Sequence, residues 1–411
     1  MTSEKMSSGQ IYTRRPGRWL VLIGYMLVAG VSQMLLLNFA PILTRVQSKY
    51  NVTEMVASLL IMVFPLLYLV FSLHAGSWVD KKGYKFTVGL GSVVMALSTL
   101  FRIYDESFYA LLIGQIGIAV AQPYILNGIT KLISDWFDGE QAAIATGLGT
   151  MGLIIGMAVG LGVTPGLVES FDMKGAMIIF SAITFIAAIL FFVLVHPNSM
   201  APKSNEVSMI KGAFGKLIRN KHLLLLFCMG FLGIGYYNGV TTWLEPMLAV
   251  QGISSKDAGL IGAVINIGGI FGAVIIPTLS DTIGKRKPFL IMCTLFAFAV
   301  TYPLCLGSNV KILMVLAVAM GFFLLPLLAL LLAMTEEIAG AKFAGSATGI
   351  LMFMGNAGAV FVIILMEVVK GEATTFINSV YFLLAALSIA ITIAFVSKEP
   401  KQIRQEEKGN F

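Results

Sequence analysis

"GSWVDKKGYK", Gly76 to Lys85, interrupts a chain that is otherwise almost unbroken apolar sequence. An Asp, three Lys and two Gly crowd into this break, and a cluster of the same kind returns far downstream as "PTLSDTIGKRK", Pro277 to Lys287. Gly76, Asp80 and Gly83 stand opposite Pro277, Asp281 and Gly284 at a constant offset of 201 residues. Pro123 then meets Pro326, and "ATG" at Ala145 meets "ATG" at Ala347, with the offset drifting by one or two residues. A duplicated unit is the economical explanation.

The sequence around these breaks excludes water as the main solvent. Of 411 residues, 57% are hydrophobic and 12% charged, about half the charged fraction of an ordinary soluble domain. Stretches of the ~20 apolar residues needed to cross a bilayer recur along the chain. We expect spans at 19–45, 55–75, 86–104, 108–134, 142–165, 175–196, 222–250, 257–278, 288–306, 311–334, 343–368 and 376–396. This predicts an all-α integral membrane protein of about twelve helices in two six-helix halves. The expected divisions are a tail at 1–18, halves at 19–196 and 222–396, a polar linker at 197–221 and a tail at 397–411. The polar, basic residues before Trp19 lead into an apolar run with no small-residue cleavage site, so the first span is expected to be retained.

When the loops are assigned alternately, the side holding both termini carries 21 of the 28 Lys and Arg, and the other side 7. The positive-inside rule then places both termini in the cytoplasm, with the protein multi-pass in the plasma or inner membrane. The net charge of +7 is thereby explained by topology, and no nucleic-acid partner is inferred. The partners expected are the lipid bilayer and a small-molecule substrate, with the chain acting as a monomer. Cys228, Cys293 and Cys305 lie within or at the edge of apolar spans, so neither disulfides nor a metal site is expected of them. With three His and three Cys in no triad or ligand spacing, no enzyme and no cofactor are expected.

With these residues in view, the chain resembles the major facilitator superfamily over nearly its whole length. The family's signature loop between the second and third helices stands here as Gly76, Asp80, Lys81, Gly83 and Lys85, and its degenerate second copy as Asp281, Gly284, Lys285 and Arg286. The resemblance implies alternating access, with a solute bound between the halves. It also implies that Asp80 contacts the eleventh helix and latches one access state. Topology accounts for the Lys and Gly of the loop, but Asp contributes little to topology. A carboxylate at a helix N-terminus is stabilised by the helix dipole, by about 0.3–1 kcal/mol at exposed sites.

"GQIGIAVAQPYILNGITKLISDWF", Gly114 to Phe137, and "AMTEEIAGAKFAGSATGILMFMGNAG", Ala333 to Gly358, are similar to the feline leukaemia virus subgroup C receptor branch, whose members carry choline-like amines and have been linked to haem. Gln122 and Asn356 match cavity-lining positions of that branch. Its Gln-Trp pair in the first helix is Gln33-Met34 here, and its eleventh-helix Gln is Asn. The bacterial cyanate-permease-like group is also similar.

A polar group inside a span is costly and marks a candidate site. "GIGYYNGVTTWLEPML", Gly233 to Leu248, gathers Tyr236, Tyr237, Asn238, Trp243 and Glu245, a set suited to an organic cation or zwitterion. Trp243 and Glu245 would equally suit the outer membrane interface. Gln33, Asn38, Gln122, Asn127, Asn266 and Asn356 complete the candidates, each balanced against a role as interhelical glue. No carboxylate or His is convincingly placed for proton coupling, so facilitated diffusion is expected, with coupling through Glu245 or Glu367 as the alternative. "GLGTMG", Gly147 to Gly152, matches a nucleotide fingerprint but lies in a membrane span, so it is read as a helix-packing face. The expected function is transport of a small polar organic solute, an amine or zwitterion. A small anion transporter and a lipid flippase on the same scaffold remain open.

Overall fold

The computed structural model describes residues 17–137, 139–196, 213–340 and 343–400; the two tails and the central linker fall mostly outside these. The described secondary structure is helical throughout. The first span bends at Pro41, where α1 (Arg18–Leu37) passes through a short turn into α2 (Leu43–Tyr50). The second and third spans are α3 (Glu54–Lys82) and α4 (Tyr84–Phe101). The fourth is α5 (Phe108–Leu126) continued by α6 (Gly128–Trp136). α7 (Gly139–Leu194) carries the fifth and sixth, and a short α8 (Ala213–Arg219) precedes the C-terminal half.

There, α9 (Lys221–Ala249), α10 (Ser255–Ile283) and α11 (Lys287–Leu306) form the seventh to ninth spans. α12 (Val310–Leu324) with α13 (Pro326–Ala339) is the tenth, α14 (Ala344–Lys370) the eleventh and α15 (Ile377–Val396) the twelfth. Among the described residues, eleven segments are long and apolar enough to cross a bilayer. One of them, Ile144–Leu194, has 51 residues. It would measure about 77 Å as one helix, against a hydrocarbon core of about 30 Å. It is broken at Asp172, whose φ of 58° and ψ of 177° are not helical, and so supplies two crossings.

The duplication seen in the sequence is repeated in the packing. The tenth span breaks at Pro326, which lacks the N–H and crowds the preceding turn, whereas in the fourth Pro123 lies within α5 and the break falls after it, at Asn127. A Cβ on Gly30 of the first span would meet the carbonyl of Gly152 in the fifth at 2.9 Å. A Cβ on Gly235 of the seventh would meet the carbonyl of Gly358 in the eleventh at 2.7 Å. Small residues let backbones approach this closely, and the same contact is made in both halves. Each half has its own core. One gathers residues such as Tyr25, Leu35, Ile118 and Phe180, and the other Phe227, Trp243, Leu330 and Leu383.

The halves meet mainly at the end of the bundle away from the termini, the far end. Gly259 and Gly262 of the eighth span pack on Leu161 and Pro165 of the fifth. Met62, in the second span, joins the C-terminal core. Toward the termini the fifth and eleventh spans have open flanks: Gly147 of the fifth and Gly345 and Gly349 of the eleventh have open space where a Cβ would sit. Gly147 precedes the interface glycine Gly162 by fifteen residues, which leaves the two within about 60° of one helix face. The "NVT" tripeptide forms the turn between the first two spans. Asn51 closes α2 in the left-handed conformation, and the Thr53 side chain accepts from the amide of Val56 to start α3.

Candidate functional site

Tyr237 marks the level at which the halves touch in the middle of the membrane. Its hydroxyl donates to Oδ1 of Asn266 in the eighth span at 2.8 Å and lies 3.4 Å from Sδ of Met157 in the fifth. Met157 follows Gly156, which packs on the backbone of Gly30, so Tyr237 lies near the level of Gly30 and Val31. Gln33 is then about 3–5 Å further along the first span. Gln115 of the fourth span donates to the carbonyls of Leu60 at 2.8 Å and Leu35 at 3.4 Å. Gln122 is two turns nearer the termini, about 10 Å, and therefore level with Val28. In the eleventh span Gly355 faces Ile234, which puts Asn356 about one turn below Tyr237. Gln33, Gln122, Tyr237, Asn266 and Asn356 thus share a band roughly 8–10 Å deep, and Asn238 adjoins it.

Several amides in this band are not consumed by the fold. Gln122 is 3% exposed, and its Nε2 has no partner among the described residues. A buried donor left unpaired costs about 1–3 kcal/mol, so its retention calls for an acceptor. The Nδ2 groups of Asn238 and Asn356 donate to the carbonyls of Ile234 and Met352 in their own helices, both at 2.9 Å. Their side-chain oxygens have no partner among the described residues. Asn266 is spent on Tyr237 and on the Gly262 carbonyl, at 3.1 Å. None of the residues in the band is charged.

Other candidates are placed elsewhere. Tyr236 is fully buried within the C-terminal half, its hydroxyl 2.7 Å from that of Thr301. Trp243 is equally enclosed, donating to the Ile363 carbonyl at 3.1 Å with its ring beside Phe376. Neither faces Met157 as Tyr237 does. Asn127 ties the fourth span to the second: it accepts from the Tyr68 hydroxyl at 3.1 Å and donates to the Ser72 carbonyl at 2.9 Å. Asn38 closes α1, fully buried, with both side-chain polar atoms unpartnered among the described residues.

Glu245 sits above the band, in a clamp between the halves. Its Oε1 accepts from the Thr44 hydroxyl at 2.5 Å and from the Ser255 hydroxyl at 2.9 Å, and its Oε2 from the Thr44 amide at 3.2 Å. Thr44 is in the first turn of α2, so the carboxylate faces a helix N-terminus in the opposite half. Lys370 of the eleventh span pairs with Glu54 of the second as a further far-end tie. Sequence reasoning missed Thr44, Ser255, Met157 and the Glu54–Lys370 pair.

Those loops differ in their contacts. Gly83 and Gly284 both have positive φ, 81° and 69°, where a Cβ would strain the turn, and this accounts for glycine in each copy. In the second copy Arg286 bonds to Asp281 at 2.9 Å and to Glu337 at 2.6 and 2.7 Å, and Glu399 accepts from the amides of Arg286 and Lys287 at 3.2 and 2.8 Å. Burial would lower the pKa of the Arg286 guanidinium, but the Glu337 and Asp281 carboxylates more than offset it, leaving the pKa raised. In the first copy Asp80 and Lys81 are exposed, and Asp80 has no partner among the described residues. The contact between Asp80 and the eleventh helix is not made here. Lys85 is half-buried, and Gly76 approaches the Asn127 amide at an ordinary 3.9 Å.

Comparison with known proteins places this architecture. The model of the Major Facilitator Superfamily matches residues 21–300 and 251–410. The chain belongs to that superfamily. Among other superfamily proteins, it is 25% identical to the choline/ethanolamine transporter FLVCR1 of Felis catus, over 87% of this chain and 68% of that protein. It is 22% identical to the choline/ethanolamine transporter flvcr2a of Danio rerio, over 98% of this chain and 91% of that protein. A solved structure of a bacterial homologue of the human lysosomal transporter Spinster, inward-facing and unoccupied, matches with a TM-score of 0.76 at 15% identity, over 96% of this chain and 99% of that one. As a Major Facilitator Superfamily transporter the protein is a multi-pass membrane protein and not an enzyme.

Proposed function

We propose that this transporter carries a small polar organic solute, an amine or zwitterion of the choline type, bound in the band between the halves. The observation that carries the reading is Gln122, whose buried amide donor has no acceptor among the described residues. The band supplies no formal charge. A zwitterion, or a cation bearing a hydroxyl, needs none: its oxygen accepts from Gln122, and its cationic end rests on the aromatic face of Tyr237 and the amide oxygens of Asn238 and Asn356. Met34 replaces the Trp that the choline-carrying branch has in the first helix, so the aromatic cage is thinner here. The two relatives named as choline/ethanolamine transporters support the class of substrate.

The transport cycle follows from the two ends of the bundle. With Glu245 clamped on Thr44 the far end is held shut, and the solute reaches the band from the termini side. Release of the clamp and engagement of Asp80 on the eleventh helix close the termini side in the opposite state. The sorted Lys and Arg support cytoplasmic termini in a plasma or inner membrane, and the two separate cores support halves at 19–196 and 222–396 working within one monomer.

A ligand-shift screen on the purified protein tests the substrate class. Choline-like amines are expected to raise its melting temperature, and Gln122→Ala to lower the affinity about ten-fold or more while leaving the unliganded melting temperature within a few degrees. A clear shift with small carboxylates or cyanate and none with amines overturns the amine reading. The unpartnered Gln122 donor also suits an anion, which is why both arms are run.

A further inference from the structure

A largely apolar groove lies on the outside of the N-terminal half, away from the solute band. Between the third span and the end of the sixth runs a groove of about 520 Å³, with Lys82 and Lys85 at its mouth and Leu90, Val93 and Phe192 along its length. Its apolar residues are exposed: Leu90 by 37%, Val93 by 39% and Phe192 by 45%. Gly89 shapes it, since a Cβ there would stand 2.9 Å from the Phe192 ring, which lies against the helix only because that Cβ is missing.

The charge is confined to one end. Lys82 sets its ammonium against two rings, its Nζ 4.2 Å from the centre of Trp78 and 5.0 Å from that of Phe86, which holds the charge at the mouth. Neither Lys82 nor Lys85 is paired with a carboxylate among the described residues. Lys85 is in the first turn of α4, whose leading amides have no acceptor within the helix. From Lys85 to Val93 the helix rises about 12 Å, close to the ~15 Å depth of one leaflet's hydrocarbon. Two unpaired cations and a helix N-terminus at headgroup depth, above an apolar channel of leaflet length, are complementary to an anionic lipid.

We propose that this groove binds one anionic phospholipid, its phosphate held by Lys82 and Lys85 and an acyl chain lying along Leu90 and Val93 against Phe192. The lipid then bridges the signature loop and the sixth span. The exposed Lys81 next to Lys82 does not line the groove and serves as the internal control.

The test titrates the purified full chain in detergent with dioleoyl-phosphatidylglycerol and, separately, dioleoyl-phosphatidylcholine, and counts bound lipid by native mass spectrometry. One phosphatidylglycerol is expected to bind in preference to phosphatidylcholine. The double variant Lys82→Gln/Lys85→Gln should weaken phosphatidylglycerol about 30-fold, equivalent to roughly 1 kcal/mol for each lysine, and leave phosphatidylcholine unchanged. Lys81→Gln should change neither. Val93→Trp, which fills the channel without touching the charges, should weaken dioleoyl-phosphatidylglycerol, and Lys82→Arg/Lys85→Arg should retain the preference, which a misfolded variant would not. Equal binding of both lipids, or an effect of Lys81→Gln as large as that of the double variant, overturns the proposal. So does full binding by Val93→Trp.

Discussion

The clamp on Glu245 sets the balance between the two access states, and its contribution can be worked from its contacts. Of the three hydrogen bonds on this carboxylate, two cross to Thr44 in the other half and one stays within its own half at Ser255. Hydrogen bonds to a charged group are worth about 1.5–3 kcal/mol and neutral ones about 0.5–1.5. Glu245→Gln removes the charge and turns one of the two acceptor oxygens into a donor at little change of shape, so each cross-half bond loses about 1 kcal/mol, even where the Thr44 hydroxyl turns to accept from the amide, and the closed far end loses about 2 in total. That corresponds to a shift of about 30-fold toward the far-end-open state. Spin labels at Ser48 and Lys256, exposed residues at the far end of opposite halves, would report it as a longer-distance population in pulsed electron resonance. Thr44→Val should act in the same direction, whereas Ser255→Ala should act weakly because its bond does not cross the interface. If Glu245→Gln leaves the distance distribution unchanged in a correctly folded protein, or if Ser255→Ala shifts it as far as Thr44→Val, the clamp is not what holds the far end.

Asp80→Asn is expected to leave the fold and membrane insertion intact but to slow uptake several-fold, because it weakens a latch that closes only in the opposite state; unchanged uptake with normal insertion would remove Asp80 from the gate. Arg286→Ala breaks a network already formed, joining Asp281 and Glu337. It should cost about 1–3 kcal/mol and lower the melting temperature by several degrees. Arg286→Lys should restore only part of this, since an ammonium lacks the planar fork.

Hydropathy and charge made the spans legible, because a bilayer demands length and apolarity from each segment in turn. The duplication was legible because two polar breaks are conspicuous in such a sequence. The facing of individual side chains was not. Tyr236 and Tyr237 are neighbours in sequence, yet successive helical residues point about 100° apart, and one lies inside the C-terminal half while the other touches Met157. Only the packing partners decide which is which. Trp243 and Asn127 read as site residues for the same reason, their apolar neighbours giving no hint of the Ile363 and Ser72 carbonyls they meet. Arg102, counted with the far-side loops, is 1% exposed and lies with its guanidinium over Phe39. Charge in a linear sequence does not reveal such burial.

The pairing of Thr44 with Glu245 bears on how the protein came to be one chain. It joins the first span to the seventh, which hold corresponding places in the two halves, as the matching contacts of Gly30 and Gly235, about 205 residues apart, show. Moved by that spacing, Glu245 corresponds to Ala40 and Thr44 to Ala249. A symmetric pair of identical subunits would make such a contact twice, each residue meeting the other's partner. Here the counterpart pair is two alanines, with no group to donate or accept, so the clamp is made on one side only. Such one-sidedness became available only once the copies were joined and free to diverge, and the far-end clamp is a device that fusion made possible.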